Sequence, residues 1–262
     1  MQGTHPEYLN QLRIYQLNCN ASNDTQLIML NALNPNDWDI IALQEPYIDF
    51  NGVTRATPPW RVVYPSRHYI AAQETRFVML VNKKLATNFW ESLPIDSSDI
   101  TAIRIVGEFS HIRIFNIYND CKHSRVLQRL EQFLLAPPHT PTIHSGDIWI
   151  GDFNRHDPMW EHLDNAQLFT RANIDAADYL IDLLADFGMD IVLEPGIPTL
   201  EHLVSKALHR VDHVFCSHQL SSKFVRCEVL PHERPPKTDH FPIVSRVDLA
   251  MVRMDEEPKR NF

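Results

Sequence analysis

Short apolar runs alternate with amphipathic stretches along the whole chain, and the two periods separate cleanly. LRIYQL (12–17), DIIALQ (39–44), WRVVY (60–64), FVMLV (77–81), AIRIV (102–106) and IRIFNIY (112–118) are strands, some alternating and some apolar throughout. IWIGDF (148–153), VDHVFC (211–216), KFVRCEVL (223–230) and FPIVSRVDL (241–249) continue the series. Helical spacing occurs in three places. Leu27, Leu30, Ala32 and Leu33 follow the cap candidates Asn23 and Asp24. Leu127, Leu130 and Leu134 follow Ser124 as a cap and stop at Pro137, Pro138 and Pro141; Leu180, Leu183, Leu184 and Phe187 form the third stripe. So many strands with so few helices predict an α/β fold of two packed sheets with helices outside. The region 46–60, with Pro46, Gly52, Pro58 and Pro59, is a long loop expected near a functional edge. There is no internal repeat and no linker, so one domain is expected over 12–250, between flexible ends at 1–11 and 251–262.

Composition narrows the function classes. The 262 residues are 44% hydrophobic, ordinary for a globular chain, and no apolar run approaches the roughly 20 residues that cross a bilayer. The polar start MQGTHPEYLNQ lacks a signal core, so an intracellular protein, nuclear or cytoplasmic, is expected. Cys19, Cys121, Cys216 and Cys227 form no CxxC pair, which suits a reducing compartment better than a disulfide framework. A net charge of −9 argues against a protein held on nucleic acid by bulk positive charge. It leaves room for a metal-dependent hydrolase, because carboxylates gathered around a cation count as negative until the metal binds. With seven glycines and no GxGxxG, GxxxxGK[ST], HExxH or GxSxG, the common nucleotide cradles, zincin helices and nucleophile elbows are excluded. The 14 histidines are expected to be mostly scattered surface residues, since His202, His209 and His213 lack ligand spacing.

The chemistry gathers at predicted strand ends. In IGDFNRHDPMW (150–160), Asp152 and Asn154 share one face while Phe153 points to the other. An acid beside an amide there suits either a turn or a metal–phosphate site, and the stretch alone leaves both open. The same polarity recurs at Asn18 and Asn20, at Gln44-Glu45-Pro46, at Arg210-Val211-Asp212-His213 and at Thr238-Asp239-His240-Phe241-Pro242. Each piece has a bland explanation, but their joint placement at strand ends is hard to credit to turns.

Leu17-Asn18, Leu43-Gln44-Glu45, Tyr118-Asn119, Gly151-Asp152-Phe153-Asn154, Val211-Asp212 and Thr238-Asp239-His240 together resemble the motifs of the endonuclease/exonuclease/phosphatase superfamily. The likeness runs from about Leu12 to about Asp248. Arg155-His156-Asp157-Pro158-Met159-Trp160 and Asn116-Ile117-Tyr118-Asn119 look most like the non-LTR retrotransposon endonucleases. The resemblance implies a four-layer sandwich of two mixed sheets flanked by helices, with a divalent-metal site at one edge. It implies Glu45, Asn18 and Asp239 as metal ligands and Asp152 as the group that positions or deprotonates the attacking water. Asn154 and Tyr118 would meet the phosphate or leaving group, with Asp212 orienting His240. Asn119, Arg155, His156 and Trp160 are expected to contact substrate, the last by stacking. The implied cofactor is Mg²⁺, with Mn²⁺ as a substitute, and the implied substrate is DNA, met transiently and away from membranes. A reverse transcriptase encoded elsewhere, or lost, is the implied partner, and the oligomeric state is left open. Elementary chemistry agrees with these roles: a phosphodiester resists an anionic nucleophile unless a hard cation neutralises the developing charge. Mg²⁺ takes one or two carboxylates, which suits a lone Glu45. Asn20 stands where abasic-site enzymes carry an acid, and Pro198-Thr199-Leu200-Glu201 offers no ring where retroelement enzymes often do, so a second metal and base recognition stay open. The rival readings are a phosphatase or phosphodiesterase on a small or lipid phosphate, and a non-cleaving binding domain of the same fold.

Overall fold

Strands that are apolar on both faces need cover on both sides, and the architecture supplies it. A computed structural model describes residues 10–107, 110–136 and 146–250. One six-stranded sheet is built from β1 (Gln11–Asn18), β2 (Ile40–Gln44), β3 (Trp60–Val63), β4 (Phe77–Asn82), β13 (Phe224–Val229) and β14 (Ile243–Asp248), in the order β13-β14-β1-β2-β4-β3. The other is built from β5 (Trp90–Leu93), β6 (Ile100–Gly107), β7 (Ser110–Tyr118), β8 (Gly146–Asp152), β9 (Met189–Ile191) and β12 (Asp212–Ser217), in the order β5-β6-β7-β8-β12-β9. A small hairpin of β10 (Leu200–Glu201) and β11 (Leu208–His209) stands apart from both. The pairs β1–β2 and β7–β8 are parallel and the rest antiparallel, so both sheets are mixed as expected.

Period-two alternation splits the apolar residues between layers. Ile14, Ile40, Ala42, Met79 and Val81 of the first sheet meet Ile103, Ile112, Ile114, Ile148 and Val214 of the second in one inter-sheet core. The opposite face of the first sheet (Tyr15, Leu17, Ile41, Leu43, Val78, Leu80) is covered by Met29 and Leu30 of helix α1 (Asn23–Ala32). That of the second (Phe115, Ile117, Trp149, Phe215) is covered by helices α2 (Arg125–Leu135) and α3 (Arg171–Asp186). Four layers result. Each fully buried aliphatic side chain in them contributes about 1.5–3 kcal/mol relative to exposure, which dwarfs helix propensity.

Several local expectations are corrected. The buried stripe of α1 is Thr25, Gln26, Met29 and Leu30, with Ser22 as the cap, while Leu27 faces solvent. Gln26 is buried because its amide donates to Thr54 Oγ1 and the Arg55 carbonyl, tying the helix to the 46–59 loop, which no apolar pattern reveals. Ser124 precedes α2 but makes no capping bond; its hydroxyl accepts from Arg155 instead. The short strands β5 and β9 carry too few residues for a periodic signal. The first strand begins at Gln11, which pairs with Asp248. The surface expectation for the histidines fails at His68, His111, His213 and His240, which are buried, while the other described histidines are half-buried or exposed. Residues 1–9, the prolines 137, 138 and 141, and residues 251–262 lie outside the described residues. No described helix is long and apolar enough to cross a membrane.

Candidate active site

The inter-sheet face changes chemistry along the strands. On β1 it reads Leu12, Ile14, Gln16, Asn18; on β7 Ile112, Ile114, Asn116, Tyr118; on β8 Ile148, Ile150, Asp152. An aliphatic layer gives way to an amide layer and then to ionisable groups at the rim. In the amide layer Gln44 Nε2 donates to Asn116 Oδ1 at 2.5 Å, and Gln16 Nε2 donates to the Gly151 carbonyl at 3.3 Å. Asn116 in turn donates to the carbonyls of Leu43 and Val78, so the sheets are pinned together directly beneath the rim. Register then does the assembly: Tyr118 pairs with Asp152 across β7–β8, and Asp152 with Asp212 across β8–β12. Gly151 is required for the close approach of these strands, since it sits at φ +141° and an added Cβ would lie 1.9 Å from the Ile117 carbonyl oxygen.

Asp152 is 3% exposed. Its Oδ2 accepts from Asn18 Nδ2 at 3.2 Å and its Oδ1 from the Asn154 N–H at 3.1 Å. His240 Nδ1 lies 2.8 Å from Asp212 Oδ2, and its Nε2 lies 3.8 Å from Asp239 Oδ1. Asp152, Asp212 and His240 offer ligand atoms all within 4.8 Å of one another. Glu45 follows β2 in a left-handed conformation, φ +42°, locked by its N–H donating to the Arg76 carbonyl and its own carbonyl accepting from Ala21. A side chain with Cβ is strained in that region, a cost of about 1–3 kcal/mol that concentrates at functional sites. Asn154, at φ +48°, shares the feature. Tyr118 lies within the electrostatic reach of Glu45, and the guanidinium of Arg76 lies 4.5 Å from its ring centroid.

The charges are not balanced within the protein. Burial raises the Asp152 carboxyl above its ordinary value, and the charges of Asp212 and Glu45 push it further, against His240 and the Asn18 bond. Burial alone would pull the His240 imidazole down, but the charge and hydrogen bond of Asp212, with the charges of Asp152 and Asp239, together outweigh it and the ring is raised to about 9. Burial and the charges of Glu45 and Asp152 likewise raise the Tyr118 phenol. Asp212 Oδ1 is buried with no hydrogen-bond partner among the described residues. Crowded carboxylate oxygens and an orphaned acceptor are the donor set a hard divalent cation fits.

The structure brings Asn18, Glu45, Tyr118, Asp152, Asn154, Asp212, Asp239 and His240 to one rim, but corrects the expected substrate grip. Trp160 is 0% exposed, packs against His213, and donates its indole N–H to the Arg155 carbonyl, so it has no face for a base. Arg155 is also buried, and its guanidinium is spent on the carbonyls of Ala176, Asp120, Asn154 and His123 and on Ser124 Oγ. It is a clamp joining the turn after β8 to the starts of α2 and α3. His156 pairs with Glu161 through Nδ1 at 2.9 Å, and Glu161 in turn accepts from the Arg210 N–H. Asn119 is buried, donating to the Phe153 carbonyl while its own carbonyl accepts from Asn154 Nδ2. Replacing Trp160 by Ala should therefore act on the fold: a loss of about 3–5 kcal/mol is expected from the cavity. Chemical denaturation checks it, and a variant of wild-type stability would contradict the packing role.

Three residues support the rim, and of these only Thr238 belongs to the strand-end pattern of the sequence. Thr199 Oγ1 accepts from the N–H groups of Val211 and Asp212, fixing the start of β12. Thr238 Oγ1 donates to the Asn18 carbonyl and accepts from the His240 N–H, joining two parts of the rim 220 residues apart. Arg76 also pairs with Asp99 at 2.8 Å, placing one guanidinium between Tyr118 and the next loop. Their roles depend on tertiary contacts alone.

Residues 112–244, about half of the chain, match the family described as endonuclease-reverse transcriptase. The endonuclease domain of TRAS1, a telomere-specific non-LTR retrotransposon, is similar with a TM-score of 0.69 and 16% identity, over 90% of this chain and 98% of that one. An AP endonuclease from Archaeoglobus fulgidus gives 0.65 and 20%, over 90% and 99%. AP endonuclease LMAP from Leishmania major gives 0.68 and 12%, over 94% and 89%. At these identities the likeness is one of fold. No curated protein matches the chain.

Proposed function

Because the chain belongs to the endonuclease-reverse transcriptase family, within the endonuclease/exonuclease/phosphatase superfamily, we propose that it is a divalent-metal-dependent phosphodiesterase that nicks DNA. The observation that carries the reading is the buried cluster of Asp152, Asp212 and His240 within 4.8 Å, with Asp212 Oδ1 lacking a hydrogen-bond partner among the described residues. The endonucleases among the solved structures of this fold support DNA as the substrate. Glu45, Asn18 and Asp239, on the same rim as this cluster, would hold Mg²⁺ or Mn²⁺ next to it, where the ion offsets the crowded carboxylate charge. When bound, such an ion supplies the positive charge that a phosphodiester needs as negative charge builds on its oxygens.

The protein's own groups have distinct tasks in this reading. Asp152, whose raised pKa marks it as a proton acceptor, orients the attacking water and takes its proton. His240, held cationic by Asp212, donates from Nε2 to a phosphate oxygen. Asn154 presents an amide to the same phosphate. The Tyr118 hydroxyl faces the leaving oxygen and stays protonated under the charges of Glu45 and Asp152. One domain over residues 12–250 holds all of these groups.

Supercoiled plasmid should be relaxed in Mg²⁺ or Mn²⁺ and left intact in EDTA. Relaxation that persists in chelator would sink the metal-dependent reading. Abasic duplex, RNA and inositol phosphates assayed in parallel separate DNA cleavage from turnover of a small phosphate.

A further inference from the structure

The positive charge expected at Arg155 is buried, yet a basic cleft exists elsewhere. Arg67, Arg76, Arg125 and Arg129, with His123, line a cavity of about 320 Å³ together with Asp96, Ser97, Ser98 and Asp99. Four guanidinium groups thus face two carboxylates, in a chain whose net charge is −9. The pairing is uneven. Asp96 takes both Nε and Nη2 of Arg67, at 2.7 and 3.1 Å, and Arg76 is divided between Asp99 and Asp120. Among the described residues Arg129 hydrogen-bonds to Gln132 alone, at 3.2 Å, although its charge reaches Asp96, whose carboxyl is held low first by Arg67. Arg125 has no hydrogen bond or ion pair among the described residues. Both residues are exposed on the first turns of α2, at positions i and i+4, so they share one helix face. Two guanidiniums on one face with no carboxylate bound to either repel one another, a cost that stabilises nothing in the protein by itself.

The cleft and the rim share Arg76 as a common wall: it lines the cleft, and the same guanidinium lies over the Tyr118 ring. An anion filling only the catalytic rim would leave Arg125 and Arg129 without a counter-charge. A polyanion running past Tyr118 and Arg76 would reach both places with successive phosphates. Serine hydroxyls beside the arginines add neutral donors, the mixture that grips a phosphate backbone without reading bases.

We propose that this cleft seats backbone phosphates of a nucleic-acid strand flanking the scissile bond, with Arg125 and Arg129 as the residues that neutralise them. The proposal deepens the phosphodiesterase reading and rests on it for the identity of the bond cleaved. It makes a polynucleotide, rather than a small phosphate ester, the favoured substrate.

The test uses the full chain with Arg125→Ala, Arg129→Ala and the pair, all exposed and outside the core. Binding of a fluorescent DNA oligonucleotide is read by anisotropy in EDTA, where no cleavage intervenes. The double variant should weaken binding by at least about tenfold, and the slope of log K against log salt should fall by about 1 for each phosphate that is no longer neutralised. In Mg²⁺, the loss in plasmid nicking should exceed the loss on bis(p-nitrophenyl) phosphate by a similar factor. Unchanged binding and salt slope, or equal losses on the two substrates, would overturn the cleft. A wild-type protein that binds DNA through these arginines but hydrolyses neither substrate would instead overturn the phosphodiesterase reading and leave the cleft standing.

Discussion

Replacing Asp152 by Ala is expected to lower single-turnover nicking by roughly 10³–10⁴-fold, the upper part of the range for a positioned proton acceptor. The protein should remain folded, and the reason differs from the one its place at a strand end suggests. Asp152 is buried, and the substitution removes two hydrogen bonds, from Asn18 Nδ2 and the Asn154 N–H. Each net loss costs about 0.5–1.5 kcal/mol. Against this, the carboxyl is raised by burial and by the charges of Asp212 and Glu45. A carboxyl whose folded-state pKa is raised binds its proton more tightly in the folded state than in the unfolded one. Its linkage contribution is therefore lost as pH rises from the ordinary carboxylate pKa through the raised value. Near neutrality the metal-free wild type already bears that cost, and the alanine variant does not. The two effects oppose, so unfolding in EDTA should change by no more than about 2 kcal/mol. A second consequence separates this account from simple loss of packing. Added Mg²⁺ or Mn²⁺ should raise the wild-type melting temperature more than that of the variant, because the repulsion the ion relieves has been reduced. A variant that unfolds yet keeps its turnover per folded molecule would return Asp152 to the role of a turn former.

Much of this site is legible in the chain because strands impose a period of two on side chains. Once 12–17, 112–118 and 148–153 are strands with aliphatic inner faces, Asn18, Tyr118 and Asp152 must extend those faces, and the structure puts all three there. The segment after β8 is less legible. Arg155, His156 and Trp160 offer a cation, an imidazole and an indole, the side chains that contact DNA, but the same groups satisfy buried carbonyls and fill cores. Which task they perform depends on α2 and α3, brought there from elsewhere in the chain, and on whether the imidazole turns to the nearby Glu161 carboxylate. His213 makes the same point. Its imidazole is stacked on Phe215 and edged by Phe153 and Trp160, with neither nitrogen bonded, and nothing in Val211-Asp212-His213 distinguishes it from a ligand. Side-chain identity gives the chemistry available, and only the tertiary partners decide whether that chemistry is spent inside the fold.

The pairing of Asp212 with His240 depends on both, since the two residues are 28 positions apart and meet at 2.8 Å only in this fold. Asp212→Asn keeps the shape but removes the charge and can turn a donor towards the imidazole. Burial then acts on the ring with less opposition, and the His240 pKa, held at about 9, should fall. Because the cationic ring is the form that meets the phosphate, the alkaline limb of the pH–rate profile should move to lower pH. Activity should drop most between neutrality and pH about 9 and least on the acidic side, where the ring is charged in either protein. Stability should follow the same sign. A raised histidine pKa adds stability that is complete below the ordinary value near 6.5 and disappears as pH rises through about 9. The difference in urea midpoint between wild type and Asp212→Asn, measured in EDTA, should accordingly shrink across that interval. On turnover near neutrality, Asp212→Asn and His240→Ala should each cost roughly 10²–10⁴-fold, and the double variant little more than either alone, because residues that act as a unit are not additive. A double-mutant cycle on single-turnover nicking measures the coupling directly. Losses that multiply would mean that Asp212 and His240 act independently, and the proposed path of charge from carboxylate to imidazole to phosphate would be wrong.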